Sequence, residues 1–252
     1  MIMSGTNPYL SVIIPCYNEG SVIARNLVEI DKYLGGKKIT YEILVIVDGS
    51  SDGTADLVRS NQPEVKNLHI IENPENRGKG YAVRQGMLQA TGELCLFLDA
   101  DGSTSITHLD SFLPEFAKGY DVVIGSRRLK GAHIQVHQPR YREFTGNMGN
   151  WLTRVVLGLR GYGDTQCGFK MLTAKAAKNL ASRMVVDRFG FDFELIALAQ
   201  RAGFNIKQMP VRWVNWAESS VTLTGPNGFI QVLVDLFKTK WRLMTGQYSP
   251  LK

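Results

Sequence analysis

The chain has 252 residues, 44% of them hydrophobic and 21% charged, with 25 Gly, 9 Pro and 3 Cys. That is long enough to bury a full core, and it excludes a collagen, a disordered tail and a disulfide-stapled mini-protein. Its 29 basic and 23 acidic side chains leave a formal charge of +6, a surplus that suits an anionic partner: a phosphate-bearing substrate, a nucleic acid or an acidic membrane face.

In chain order, residues 1–7 carry neither the basic start nor the apolar run of a secretory leader,. Strand-length apolar runs then follow at residues 10–14, 41–47, 68–71, 93–98 and 121–124. Between them lie helically spaced rows such as Ile23, Leu27, Ile30 and Leu34,. Strands buried on both faces and alternating with helices predict an α/β fold: a doubly wound, mostly parallel sheet with helices on both faces. From about residue 129 the pattern is less regular. A basic loop over 130–142 leads to a helical stretch at 151–159, a helix at 191–202, a strand at 206–213 and an amphipathic stretch at 229–248. No repeat, low-complexity segment or linker divides the chain, so one domain over 1–252 is expected, with halves of about 8–128 and 129–252. No apolar stretch reaches the ~18 residues of a membrane span; Arg154 and Asp235 interrupt the longest ones. Cys16, Cys95 and Cys167 are scattered, without metal-ligand spacing, which fits a reducing cytoplasm,.

In such sheets the ligand sits beyond the carboxyl ends of the strands. Here those ends read Pro15-Cys-Tyr17-Asn-Glu19-Gly, Asp48-Gly-Ser-Ser-Asp-Gly-Thr, Asn76-Arg-Gly-Lys79-Gly, Asp99-Ala100-Asp101-Gly-Ser103-Thr and Gly125-Ser-Arg127. Five polar, glycine-rich ends converging on one edge predict a nucleotide site. Asp99 and Asp101, one residue apart, suit a divalent cation shared with a diphosphate, although such a pair equally serves a helix cap and a turn. Asp48 reads as an acceptor for a base or ribose, and Ser51 or Asp52 as the cap of the next helix. Lys79 and the amides around it suit a phosphate at a helix start; a glycine turn with a solvated lysine is the alternative. His69, His108, His133 and His137 show no convincing metal spacing, and no nucleophile elbow or nucleic-acid motif is present,.

In that order, these motifs resemble the family 2 glycosyltransferases of GT-A fold. The segments 164–170 (Asp-Thr-Gln-Cys-Gly-Phe-Lys), 188–194 (Arg-Phe-Gly-Phe-Asp-Phe-Glu) and 211–219 look like those of dolichyl-phosphate β-glucosyltransferases, and the similarity spans about residues 10–248. The resemblance implies that Pro15, Tyr17, Glu19 and Asp48 bind the base and ribose. It places Asp99, Ala100 and Asp101 on ribose, diphosphate and metal (Mg2+ or Mn2+), with Ser103 beside the metal. Arg127 and Arg142 match positions that hold a lipid phosphate, and Lys79 and Lys170 are further basic candidates. Two departures stand out: Val47-Asp48 replaces the usual pair of aspartates, and the N-terminal membrane helix common in the family is absent from this sequence.

The reaction so implied is inverting transfer of glucose from UDP-glucose to a dolichyl or polyprenyl phosphate. Alternatives are a GDP-mannose-dependent mannose synthase and a non-catalytic nucleotide-sugar-binding subunit. A phosphomonoester, with a second pKa near ~6, is already an anionic nucleophile at neutral pH, so no strong base is required; Asp192 and Glu194 are reserve acid/base or positioning groups. Two rows could meet a membrane: Trp151, Val155, Val156 and Leu159 near Arg154 and Arg160, and Phe229, Leu233, Leu236, Phe237, Trp241 and Met244 near Lys238, Lys240 and Arg242,. Core packing of ordinary amphipathic helices is the other reading. The expectation is a peripheral enzyme on the cytoplasmic face of a membrane, with a membrane-anchored partner or a second copy as further possibilities and no nucleic acid.

Overall fold

The computed structural model describes residues 7–134, 140–214 and 226–248, with backbone alone for 140–145 and 226–229. The first half runs β1 (Leu10–Cys16), α1 (Gly20–Gly35), β2 (Tyr41–Asp48), α2 (Thr54–Asn61), β3 (Leu68–Asn73), α3 (Lys79–Gln89), β4 (Leu94–Leu98), α4 (Leu109–Ala117) and β5 (Val122–Ser126). The second half adds β6 (His133–Ile134), α5 (Arg140–Leu157), β7 (Phe169–Thr173), α6 (Ala174–Ala181), α7 (Phe191–Arg201), β8 (Ile206–Pro210), β9 (Arg212–Trp213) and α8 (Pro226–Thr245). Four of the five predicted strands run past their apolar stretch, to Cys16, Asp48, Asn73 and Ser126. Ladder pairing rather than hydrophobicity sets those ends: Cys16 pairs with Val47, Asp48 with Asn73 and Ser126 with Pro210.

One sheet has the order β3-β2-β1-β4-β7-β5-β8, and β6 pairs with β9 outside it. All of β1 and β2 is buried. Alternate side chains feed two cores. Ile13, Leu44 and Ile46 pack with α3, α6 and α7, while Val12, Ile14, Val45 and Val47 pack with α1, α2 and α4. Strands β7 and β8, from the second half of the chain, complete the sheet that the first half begins.

The predicted fourth and fifth strands are not neighbours. β7 lies between them, antiparallel to both. Its Phe-Lys-Met-Leu-Thr sequence carries a lysine at a position that is fully buried, which hid it from the apolar pattern. The consequence is topological. An antiparallel strand enters the sheet where its parallel neighbours leave it, so residues 164–168 arrive at the carboxyl ends of β4 and β5, with Phe169 opposite Leu98.

Candidate active site at the strand ends

Asp99 to Ser103 form a turn directly after β4. Gly102 is left-handed, with φ +67. Asp101 accepts the Ser103 N–H at 2.9 Å, and the Ser103 carbonyl accepts Val214 N–H at 2.9 Å. From α1, Asn26 donates to the Ala100 carbonyl, and a Cβ on Gly102 would come within 2.9 Å of the Asn26 side chain. Just before β7, the backbone of Gly168 presses on the Asp99 carboxylate, where an added Cβ would lie 1.9 Å from Oδ2. Burial, then the neighbouring Asp99 charge, raises the pKa of Asp101. Two crowded carboxylates are the donor chemistry of a hard divalent cation. Among the described residues no three acidic, histidine or cysteine side chains gather into a ready-made cage.

The ammonium of Lys79, the first residue of α3, sits 2.5 Å from Asp99 Oδ1. Burial alone would lower its pKa, but the Asp99 and Asp192 charges outweigh it and the net shift is upward. Two of the amides expected to cradle a phosphate around Lys79 already have partners in the protein. Gly78 N–H donates to Asp48 Oδ2 at 2.6 Å and Tyr81 N–H to the Asp187 carbonyl at 3.0 Å. The 186–188 backbone lies so close that a Cβ on Gly78 or on Gly80 would come within 2.3 Å of a carbonyl oxygen there. Lys79 is thus neither at a bare helix start nor solvated.

Asp48 is 2% exposed and also accepts from Asn73 Nδ2 at 2.9 Å. It ties β2, β3 and the start of α3 together. Pro15 is buried within β1 and Tyr17 stands 46% exposed just beyond it. Glu19 is buried, its N–H donating to Thr54 Oγ1 at 3.0 Å. Asp52, not Ser51, organises the start of α2: it accepts Thr54 N–H and, across the gap, Gly20 N–H, both at 3.0 Å.

Arg127, just past β5, forks onto Asp164, with Nε 2.7 Å from Oδ2 and Nη2 3.0 Å from Oδ1, while its backbone N–H also donates to Asp164 at 3.0 Å. Burial would raise the pKa of Asp164, but the Arg127 charge and these hydrogen bonds bring it down to about 2. A guanidinium carries five N–H groups, so the fork leaves three that the Asp164 pair does not use. The Trp213 ring lies 5.6 Å from the guanidinium. Asn150 of α5 fixes the approach to Asp164, donating to Gly163 O at 2.8 Å and accepting from Thr165 Oγ1 at 3.0 Å.

Lys170 is corrected from acceptor ligand to interior ion pair. It is 0% exposed, and its ammonium donates to Cys167 O at 2.6 Å and to Asp192. Glu194 is likewise structural, accepting Val186 N–H at 3.0 Å and the Tyr248 hydroxyl at 2.7 Å. Cys167 is buried and its pKa is pushed up to about 12, chiefly by desolvation. Arg142 lies on α5 rather than in the predicted loop; its side chain, and residues 215–219 with Trp216 and Glu218, lie outside the described residues. Asn26, Asn150, Asp164 and Gly168 were not singled out as site residues from sequence. For Asn26 the signal was a polar residue beside the inward row of α1; the others required knowing where β7 runs.

Both amphipathic rows split in two. On α8, Leu236 and Leu243 face the core, whereas Ile230, Val234, Phe237, Trp241 (62% exposed) and Met244 face outward. On α5, Val156 and the following Leu159 face in, whereas Trp151 and Val155 face out. Among the described residues no helix is long and apolar enough to cross a membrane.

Residues 11–181 match the family model described as glycosyl transferase family 2. A dolichyl-phosphate beta-glucosyltransferase of Trichomonas vaginalis is 34% identical over 240 residues, covering 91% of this chain and 72% of that protein. Its counterpart in Dictyostelium discoideum is 34% identical over 257 residues, covering 95% and 76%. Among solved structures, glucosyl-3-phosphoglycerate synthase from Mycobacterium tuberculosis in complex with Mn2+, UDP-glucose and phosphoglyceric acid matches with a TM-score of 0.69 at 15% identity, over 93% of this chain and 80% of that one. That likeness is one of fold, the GT-A fold. Fold, strand-end motifs and relatives agree, and the chain belongs to glycosyl transferase family 2.

Proposed function

We propose that this enzyme transfers glucose from UDP-glucose to a dolichyl or polyprenyl phosphate with inversion at the anomeric carbon. The observation that carries the reading is the meeting, where β7 enters the sheet, of the Asp99–Asp101 turn with the Arg127–Asp164 fork, two groups suited to two different phosphates. The relatives' names support the lipid phosphate and the sugar, and the Mycobacterium tuberculosis synthase was solved with UDP-glucose and Mn2+.

In this reading Pro15, Tyr17, Glu19 and Asp48 shape the base and ribose pocket, with Tyr17 covering the base and Asp48 holding the loops around it. Asp99 and Asp101, with Ser103 beside them, would hold Mg2+ or Mn2+, which offsets charge on the departing diphosphate. Ala100 lends its backbone to the same turn. Arg127 grips the acceptor phosphate with the N–H groups left over from Asp164, and Arg142 is a second grip for the same anion. Asp164 fixes the fork's orientation. The acceptor oxygen is already anionic near neutral pH, so the site needs alignment and charge screening more than a base. In-line attack on an α-linked donor gives a β-linked product. The outward rows of α5 and α8, flanked by Arg154, Lys238, Lys240 and Arg242, rest the enzyme on an anionic membrane surface where its lipid acceptor lies.

The test is turnover of purified protein with Mn2+ and a short polyprenyl phosphate, comparing UDP-glucose, GDP-mannose and other nucleotide sugars. Lipid-dependent preference for UDP-glucose and a β-linked product are expected, with turnover down about 100-fold in Asp101→Asn. An α-linked product overturns the mechanism, transfer from GDP-mannose moves the enzyme to the mannose branch, and turnover that ignores the lipid removes the acceptor.

A further inference from the structure

Two ion pairs lie close enough for the Asp192 charge of one to act on the Lys79 ammonium of the other. Each member comes from a different element: Asp99 after β4, Lys79 from α3, Asp192 from α7 and Lys170 from β7. The inner pair is fixed, because Lys170 has 0% exposure and is held by Cys167 O as well as Asp192. The outer pair is not sealed: the side chains of Lys79 and Asp99 are 23% and 26% exposed. Both backbones at that outer pair are locked. Gly78 and Gly80 hold the start of α3 against residues 186–188, and Gly168 presses on the Asp99 carboxylate. Separating the pair therefore requires only rotation of the lysine stem.

We propose that Lys79 is a resident stand-in for the divalent cation, neutralising Asp99 while the donor is absent and passing to the donor's diphosphate when the metal takes Asp99. This rests on the metal-dependent reading above. Without any cation, Asp99 and Asp101 would repel across a partly buried turn, and the ammonium relieves that repulsion. The same ammonium disfavours a metal arriving alone, because a second cation must displace it. A nucleoside diphosphate brings the negative charge that draws Lys79 away, so metal and nucleotide favour each other's binding. Lys79 is thus a positioning residue in the empty site and a diphosphate ligand in the loaded one.

Mn2+ binding, followed by the electron paramagnetic resonance of the free ion with and without UDP, separates these states without turnover. In wild type, UDP should tighten Mn2+ binding. In Lys79→Met, Mn2+ alone should bind about tenfold more tightly, and UDP at saturating Mn2+ about tenfold more weakly. Lys79→Arg should stay near wild type. Lys79→Gln replaces the Met variant if the latter does not fold by circular dichroism. A structural role alone would weaken both affinities together. If a folded, uncharged variant binds Mn2+ no better than wild type, the stand-in is wrong while the metal reading survives. If wild type binds no Mn2+ even with UDP, both fall.

Discussion

Lys79–Asp99 and Lys170–Asp192 are both ion pairs beneath the carboxyl ends of the sheet, and both lysines looked alike in the sequence. Burial separates them. Lys170 has no exposed surface, whereas Lys79 and Asp99 each keep about a quarter of theirs. A sealed pair cannot exchange partners without exposing a bare charge to the interior, so it fixes a geometry. A pair at the rim can exchange one partner for an ion or a substrate. The difference is sharpest in stability. Lys170→Met should cost about 3–5 kcal/mol, as expected when one member of a buried pair is removed, and Lys79→Met clearly less, because Asp99 at the rim can still reach water. Denaturant melts of the two variants decide the point, and equal losses would erase the distinction.

Gly168 tests the rim from the other side. Gly168→Ala places a methyl group 1.9 Å from Asp99 Oδ2, so the carboxylate must move. Mn2+ and UDP affinity should fall about 100-fold, near 3 kcal/mol. Gly35→Ala, whose Cβ meets nothing within 4 Å, is the control and should leave both unchanged. Retained affinity in Gly168→Ala would mean that Asp99 is not a ligand.

The Arg127–Asp164 fork lies between the two cases, with side-chain exposures of 27% and 3%. The folded pKa of Asp164 is about 2, below its ordinary 3.8. Stability from this group is therefore complete above about pH 4 and is lost as pH falls through 3.8 toward 2. The loss is about 2 kcal/mol. Acid unfolding of wild type against Asp164→Asn should show this segment of the curve only in wild type; parallel curves would show that the pair contributes nothing.

Much of this architecture is written in local patterns. The first five strands and the inward row of α1 follow from mostly apolar runs and a spacing of three and four, because each of those segments meets a core directly. Asp99 and Asp101 could be picked out because polar residues directly after a buried strand are unusual. β7 could not be read that way. Its lysine is tolerated only because Asp192, 22 residues later, supplies the opposite charge, and no window of sequence contains both. The same holds for Asp164 and Gly168, whose importance depends on an antiparallel strand delivering them to Asp99 and Arg127. Gly78 and Gly80 carry a signal of the same kind: their lack of a side chain admits residues 186–188, another stretch of this chain that no local window contains.

Exposure also divides α8, where the distinction is between two rows of one helix. Leu243 and Leu236 are in the core, and Trp241 and Phe237 stand in solvent one or two positions away. Packing alone gives the outward row no reason to be apolar. Lys238, Lys240 and Arg242 beside it complement an anionic bilayer, each contributing about 1 kcal/mol near such a surface. The double substitution Trp241→Ser with Phe237→Ser should therefore change stability by less than about 0.5 kcal/mol per site yet weaken binding to phosphatidylserine vesicles about tenfold. Leu243→Ala should do the reverse, costing about 2–4 kcal/mol while the folded protein keeps its vesicle affinity. Flotation and melting of the same samples read both quantities. A large drop in melting temperature for the outward pair would place that row in a protein contact, and undiminished flotation would mean that this row does not carry vesicle binding.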